Sequence, residues 1–298
     1  RTSQGKFVTE ASKVFQEGDD FWHAGRYDEA RTAYEKAAGL YHQNDDLEGE
    51  AFVLSRLGEL ELSLDDYQEA EHALLSATEL VRDADYAQNT YGDALIKLSK
   101  LETARGHLLK ARQYLKTARE VLAAIGNHDL SGDAYDHEAY IALMENRDAD
   151  ALAAYKKAAE LFREDGISLK EASTLRAIAR IQMKNKEYDE AHDVLERCRD
   201  LYRENGDLLG EASALSAIGC LRYIIRDIAN ARKALMKSVY LYGKVSHHYA
   251  EAESLLYLAR VEAFDKSRGD FERAKAHYKR SIELFDFMGN ETMKSAGG

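Results

Sequence analysis

Large and small apolar residues recur at helical spacing along this chain, with polar residues between them, and the pattern itself repeats. Aligned on the alanine of Tyr27-Asp28-Glu29-Ala30, seven anchor alanines appear: Ala30, Ala70, Ala111, Ala151, Ala191, Ala231 and Ala274. Their spacings are 40, 41, 40, 40, 40 and 43 residues. Four residues after each anchor stands a large side chain: Tyr34, Leu74, Leu115, Tyr155, Leu195, Leu235 and Tyr278. Seven after stands a small one: Ala37, Ala77, Ala118, Ala158, Cys198, Ser238 and Ser281. Ten after come Leu40, Leu80, Val121, Leu161, Leu201, Leu241 and Leu284. Spacings of 4, 7 and 10 residues trace one face of an α-helix.

A second helix precedes each anchor. Twelve residues upstream lie Gly18, Gly58, Ser99, Ala139, Ala179 and Gly219, with Ala259 in the last copy once its insertion is stepped over. Small residues facing large ones let two helices approach closely. Breakers separate the two helices at Gly25-Arg26, Asp65-Asp66, Gly106, Asn146-Arg147, Asn185-Lys186, Arg226-Asp227 and Gly269-Asp270. Others fall between copies, at Asn44-Asp45-Asp46, Gly126-Asn127, Asp165-Gly166, Asn205-Gly206-Asp207, Ser246 and Gly289-Asn290. Gly and Asn suit a left-handed helix end, and Asp, Asn or Ser the next N-cap. Each unit therefore predicts a hairpin of two helices, roughly sixteen to eighteen residues and about 25 Å each. One hairpin cannot bury its apolar face alone, so stacked hairpins should form an all-α, right-handed superhelical solenoid over residues 7–287. Its seven repeats fall at about 7–45, 46–85, 86–127, 128–166, 167–206, 207–246 and 247–289, with tails at 1–6 and 290–298.

Composition agrees with an all-helical chain. There is no proline in 298 residues, where average usage would give roughly fifteen. Hydrophobic residues make up 45%, enough for a core, and charged residues 32%. The net charge of −12 disfavours general binding to nucleic acid or anionic membrane. No apolar run is long enough to span a bilayer. The two cysteines, Cys198 and Cys220, form no CxxC motif or His/Cys cluster, so a disulfide framework and a zinc site are unsupported and a reducing, cytoplasmic compartment is expected. The first residues, Arg1-Thr2-Ser3-Gln4-Gly5, carry no apolar leader and read as a trimmed or processed end.

The small–large signature Gly18, Tyr27, Ala30, Tyr34 and Ala37, repeated as Leu54, Leu57, Gly58, Tyr67, Ala70 and Ala77, resembles the tetratricopeptide repeat family over nearly the whole chain. Two features depart from the common form. The period is 40 rather than 34, and no proline closes the second helix. The match is closest to the long-helix subclass found in signalling scaffolds, peptide sensors and regulator domains. The third copy diverges most, with Thr103-Ala104-Arg105-Gly106 at its turn, and the last carries an insertion around Asp265-Lys266-Ser267-Arg268.

Motifs for catalysis are missing: no phosphate-binding loop, nucleophile elbow, zinc-protease helix, dinucleotide fingerprint or EF-hand is present. The Glu69-Ala70-Glu71-His72 run lacks the further carboxylates of a di-metal bundle. His247 and Glu251, like Asp133 and His137, are one helical turn apart and read as surface pairs. No enzyme activity, metal or cofactor is expected. Tyr27, Tyr67 and Tyr188, Tyr34, Tyr155 and Tyr278, and Tyr41, Tyr202 and Tyr242 occupy three repeat positions and read as structural, whereas Trp22, Tyr140, Tyr223 and Tyr257 fall on first helices outside those positions.

The family resemblance implies that first helices line a concave groove. Inward positions would then be Phe15, Asp19 and Trp22; Ser55, Arg56 and Glu59; Ile96, Lys97 and Lys100; Asp136, His137 and Tyr140; Arg176, Arg180 and Lys184; Ser216, Cys220 and Tyr223; and Leu256, Tyr257 and Arg260. Lys and Arg outnumber carboxylates there, in an acidic chain. The expected site is a groove in which Arg56, Lys97, Lys100, Arg176, Arg180, Lys184 and Arg260 hold an acidic segment or chain-terminal carboxylate, with Trp22, Tyr140, Tyr223 and Tyr257 as apolar anchors. Against it stands pairing of those cations with Glu59, Asp136 and neighbouring acids. The functional expectation is a non-catalytic scaffold or adaptor for a protein or peptide, the alternative a ligand-sensing domain of a larger regulator. RNA binding is disfavoured by the acidic charge. The chain stops where an eighth hairpin would begin, so Phe285, Phe287 and Met288 are expected to meet an adjoining domain, a partner or a second copy, the alternative being a short tail folding back over them.

Overall fold

A computed structural model describes residues 3–264 and 268–296, with side chains placed over 10–264 and 271–289. Among them the chain is all-α, with fourteen helices and one 3₁₀ turn. The helices are α1 (Ser3–His23), α2 (Tyr27–Gln43), α3 (Leu47–Ser63), α4 (Tyr67–Val81), α5 (Gln88–Ala104), α6 (Leu108–Ala124), α7 (His128–Met144), α8 (Asp148–Glu164), α9 (Ser168–Lys184), α10 (Tyr188–Glu204), α11 (Leu208–Ile224), α12 (Ile228–Lys244), α13 (His248–Phe264) and α14 (Arg268–Ala296). Successive pairs form hairpins, and within each of two units neighbouring hairpins stack on one another. Two compact units result, Arg1–Asp165 with α1–α8 and Gly166–Gly298 with α9–α14.

The repeat positions explain the hairpin contact. The anchors Ala30, Ala70, Ala111, Ala151, Ala191 and Ala231 are fully buried, and the large residues four later are at most 4% exposed from Tyr34 through Leu235. The small residue of the first helix sits against both. A Cβ added to Gly58 would lie 2.5 Å from Leu74 Cγ and 3.3 Å from the carbonyl oxygen of Ala70. One on Gly219 would stand at the same distances from Leu235 Cγ and the Ala231 carbonyl. In the second unit the small position after the anchor also bonds. Cys198 Sγ donates to the Ala172 carbonyl, Ser238 Oγ to that of Ala212 and Ser281 Oγ to that of Ala252, at 3.2, 2.9 and 2.9 Å.

The helix ends follow the breaker residues, with a broader chemistry than Gly and Asn. Gly25, Gly106, Gly126, Gly166 and Gly206 are left-handed, but so are Asp45, Asp65, Asn146, Lys186, Arg226 and Ser246. Asp46, Asp66, Asn127, Asp207 and Asp227 then cap the following helix by accepting from a backbone N–H.

Three places differ from the sequence expectation. Between α4 and α5, where no breaker stood out, a 3₁₀ turn (Asp85–Ala87) forms, and Gln88 Nε2 donates to the Ala84 carbonyl at 2.9 Å. Helix α1 already begins at Ser3, inside the segment read as a tail. Helix α14 runs through Gly289 and Asn290 to Ala296, where a break was expected. Glycine alone does not end a helix; it costs about 1 kcal/mol relative to alanine, and no proline follows it. Of the inserted stretch, residues 265–267 lie outside the described residues and Arg268 opens α14. Phe285 packs on Ala252, Leu255 and Leu284, and Phe287 lies edge-on to His248 at 5.4 Å.

Buried carboxylates join neighbouring hairpins at Glu61 and Glu262, and the two helices of one hairpin at Glu102. Glu61 of α3, 1% exposed, receives Arg31 of α2 through both oxygens at 2.5 and 2.7 Å. Glu102 of α5 receives Lys110 and His107 at 2.7 Å each, with Arg105 at 3.5 Å. Burial opposes charge on Glu102, but these donors outweigh it and hold its carboxyl below the usual range. Glu262 of α13 receives Arg232 and Arg273 at 3.1 and 3.2 Å.

Two predictions test this packing. Gly58→Val should lower stability by about 1–3 kcal/mol through overpacking against Leu74 and the Ala70 carbonyl. Gly39→Ala, on α2 with nothing within 4 Å of the new Cβ, should raise it by about 0.5–1 kcal/mol. Urea denaturation of the two variants reads both, and equal midpoints would contradict the close-contact account. The second concerns His137 of α7, which is 9% exposed and within 3.1 Å of Thr103 Oγ1. Burial, and then Lys100, push its pKa from 6.5 down to about 4 against a small opposing effect of the Ser99 carbonyl. The imidazole is neutral in both folded and unfolded chains well above 6.5. As pH falls from 6.5 toward 4, the unfolded chain takes the proton first, so stability drops by up to about 1.4 kcal/mol per pH unit. Denaturation curves between pH 7 and 4.5 should show a shallower decline for His137→Gln than for the parent chain.

Candidate functional site

In the first unit, α1, α3, α5 and α7 supply one wall of residues, with α3 packed on α5 and α5 on α7. A cleft of about 530 Å³ lies on it, lined by Phe15, Phe52, Ile96 and Leu130 beside Asp19, Arg56, Glu59, Asp93, Lys97 and Lys100. The cations here are largely committed to acids of the same wall. Arg56 bonds Asp19 at 3.0 Å and Glu59 at 2.9 Å, and its guanidinium lies 4.6 Å over the Trp22 ring. Tyr34 Oη donates to the same Asp19 oxygen at 2.5 Å. Burial, followed by that carboxylate, raises the Tyr34 pKa. Lys97, 8% exposed, donates to Asp93 at 2.8 Å and Ser55 Oγ at 3.1 Å and pairs with Glu59 at 3.2 Å. Lys100 is exposed on the rim. Trp22 is half-buried, edge-on to Tyr34 at 6.3 Å, whereas Tyr140 is exposed and stacked on His137 at 5.9 Å.

The second unit places its cations differently. Arg176, Arg180 and Lys184 follow one another along α9, all exposed. Arg176 and Arg180 line a cleft of about 550 Å³ with Ser173, Ala177, Met183, Leu195 and Ala217. Four small residues in that lining, Ser173, Ala177, Ala179 and Ala217, leave the space open. Arg176 Nη1 donates to Ser213 Oγ of α11 at 2.6 Å, a neutral partner. Among the described residues neither Arg176 nor Arg180 has a carboxylate partner. On α13 the Arg260 guanidinium lies 5.4 Å from the Tyr257 ring centre, both residues exposed. Tyr223 is half-buried against the cluster of Ala231, Leu235, Leu258 and Val261, edge-on to Phe264 at 6.3 Å.

Of the sequence-predicted residues, the structure thus joins Arg56, Lys97 and Lys100 at one cleft, with Trp22 beneath Arg56, and joins Arg176 and Arg180 at another. Tyr140 stands apart from the first cleft, and Tyr223 belongs to a core. The sequence reading missed Asp93, Phe52 and Ser213. Asp93 was accessible to it as the residue four before Lys97, one turn away on the same helix. Ser213 lies seven before Cys220 and shares its face by the same rule. Burial pushes the thiols of Cys198 and Cys220 up to about 12, against the nearby charges of Arg176 and Arg260 respectively, which favours the protonated thiol over the thiolate. Among the described residues no group of three or more His, Cys, Asp or Glu side chains could hold a metal ion, and no helix is long and apolar enough to cross a membrane.

Family models match two stretches. Residues 11–83 match the tetratricopeptide repeat, and residues 72–208 match the soluble NSF attachment protein, SNAP. No curated protein sequence matches the chain. Several solved structures do. A signal transduction ATPase with numerous domains from Pyrococcus horikoshii, which carries a tetratricopeptide repeat sensor, is 18% identical with a TM-score of 0.74. That match covers 93% of this chain and 43% of the other protein, so the chain spans less than half of that relative's length. The apo form of RapI is 14% identical over 93% of this chain and 76% of its own, with a TM-score of 0.74. A Rap protein complexed with competence and sporulation factor is 15% identical over 85% and 75%, with a TM-score of 0.60. With its hairpins, its buried small–large contacts and these matches together, the chain carries tetratricopeptide repeat sequence over residues 11–83 and has the fold of a tetratricopeptide-like helical repeat.

Proposed function

We propose that the chain is a non-catalytic binding module that captures an acidic peptide segment, or a chain-terminal carboxylate, on the first-helix face of its second unit. The observation that carries this reading is the pair Arg176 and Arg180. Both guanidiniums border an open cleft of about 550 Å³ without a carboxylate partner among the described residues. Arginine presents a planar fork that matches a carboxylate through two parallel bonds. Alanines around it admit a peptide backbone, and Met183 offers an adaptable apolar contact. Lys184 extends the positive row, and Arg260 with Tyr257 adds a second cation and an aromatic face on α13. The first unit fits such a ligand less well, because Arg56 and Lys97 are already neutralised by Asp19, Glu59 and Asp93.

A second reading, a ligand-sensing domain within a larger regulatory protein, is favoured by one comparison. The Pyrococcus ATPase uses its tetratricopeptide repeats as a sensor, and its chain is more than twice as long as the matched part. Both readings place the ligand at the same arginines. Nucleic acid is a poor partner for either, given the chain's charge of −12.

The test is fluorescence anisotropy with a labelled acidic peptide carrying a free C-terminal carboxylate, alongside its amidated form. The double variant Arg176→Glu/Arg180→Glu should weaken binding at least tenfold while leaving helicity and melting temperature unchanged, since both side chains are exposed. Binding should also weaken with added salt. Equal affinity of the double variant and the parent chain would remove the arginine pair from the site.

A further inference from the structure

On the opposite side of the first unit, the second helices α2 and α4 both pack on α3 and leave a cleft of about 890 Å³ between them. Its geometry follows from three helical stripes. The floor is α3, where Leu54 and Leu57 lie between Glu50 and Glu61. One wall is α2, with Arg31, Glu35 and Ala38 at successive turns; the other is α4, with Glu69, Ala73, Ser76 and Glu79. Small residues in both walls keep the cleft open, and the floor from Glu50 to Glu61 runs about 16 Å, three helical turns.

The same cleft two hairpins later shows what closes such a space. Between α6 and α8, over α7, it shrinks to about 310 Å³. Ala38 stands eight residues after its anchor, and the residue eight after Ala111 is Arg119. Arg119 bonds Glu138 and covers the Tyr135 ring at 4.9 Å, filling the equivalent room with a positive side chain. The first cleft has no such plug, and its charge is opposite. Arg31 is the sole Lys or Arg in its lining and is committed to Glu61 and Asp28. Glu35, Glu69 and Glu79 are exposed on the rim and have no cationic partner among the described residues.

We infer that this cleft is a docking surface for a basic amphipathic helix of a partner protein. Leu54 and Leu57 at the centre of the floor, with Leu80 beside them, accept apolar side chains from one helix face, and lysine or arginine on the flanks of that helix meets unpaired carboxylates on both walls. The role Arg119 plays within the chain at the later cleft would be supplied from outside at this one. The surface is separate from the Arg176 and Arg180 site and takes a ligand of opposite charge.

The experiment is anisotropy of the full chain against a labelled amphipathic helical peptide of leucine, alanine and lysine, with a composition-matched scramble as control. Saturable binding that falls with salt and exceeds that of the scramble by at least tenfold is expected. Glu35→Lys/Glu69→Lys/Glu79→Lys should weaken it tenfold or more, as should Ala38→Arg, which installs the plug. Ser76→Arg, on the half-exposed opposite wall, is the second plug, and circular dichroism checks that each variant keeps its helicity. Arg176→Glu/Arg180→Glu should bind the peptide like the parent chain, so loss of this site and of the arginine site are read separately. Equal binding of the scramble, or unchanged affinity in the folded plug and charge-reversal variants, would overturn the assignment.

Discussion

The close approach of two helices within each hairpin is the constraint on which the rest depends. At Gly58 the first helix lies so near the second that an added methyl group would meet both the Leu74 side chain and the Ala70 backbone. The anchor alanine, the large residue four later and the small residue twelve earlier are therefore one contact, written three times in each repeat. Helices held this tightly fix the axis along which the next hairpin stacks. They also determine which residues remain for other work. Positions that face neither the hairpin partner nor the next hairpin are free to vary in charge and size, and those positions line the clefts.

Burial decides how the charged residues are used. A carboxylate taken out of water must be met by donors, because an unpaired buried charge is far more costly than the pair is favourable. Glu61, Glu102 and Glu262 are almost wholly enclosed, and each is met by arginine or lysine from an adjoining helix. The Glu61 and Glu262 pairs join one hairpin to the next, and the Glu102 pairs tie the two helices of its own hairpin together. An arginine that stays in water has no such requirement. Arg176 and Arg180 keep their hydration and need no partner within the chain, so their lack of one does not strain the fold.

The periodic part of the structure was open to reading from the sequence. Ala70, Leu74 and Gly58 announce themselves because the same residue types return every forty positions, and the helical hairpins follow from that alone. Helix ends were largely legible: the breaks at Asn185-Lys186 and Arg226-Asp227 stood out through Asn185 and Asp227, but the residues that take the left-handed conformation there are Lys186 and Arg226, whose side chains give no local signal for it. Gly289 gave the opposite error, since a lone glycine within a strongly helical stretch does not stop the helix. The site was less legible. Pairing of Arg56 with Glu59, three residues on, was legible, but its second partner Asp19 is 37 residues away, a separation no local pattern spans. The openness of the cleft beside Ala38 was invisible for a related reason. An alanine at that position reads as one more small core residue until the wall it leaves bare is seen next to the one filled by Arg119.

The distribution of paired and unpaired charge bears directly on which surface can do binding work. A ligand carboxylate approaching Arg56 would have to displace Asp19 or Glu59, and the chain would then leave one of those acids, and the Tyr34 hydroxyl with it, without its partner. The exchange returns little, because one charge-assisted bond replaces another of similar strength. At Arg176 the bond displaced is to a serine hydroxyl, and a charged acceptor is roughly twice as strong a partner as a neutral one. The gain is available without any rearrangement of the hairpins. Two faces with the same repeat positions and nearly the same cleft volumes, about 530 and 550 Å³, thus differ in capacity through the carboxylates that accompany their arginines. The fold supplies the shape of both; the acids at 19, 59 and 93, with no counterpart beside Arg176 and Arg180 among the described residues, determine which pair of cations is already neutralised within the chain.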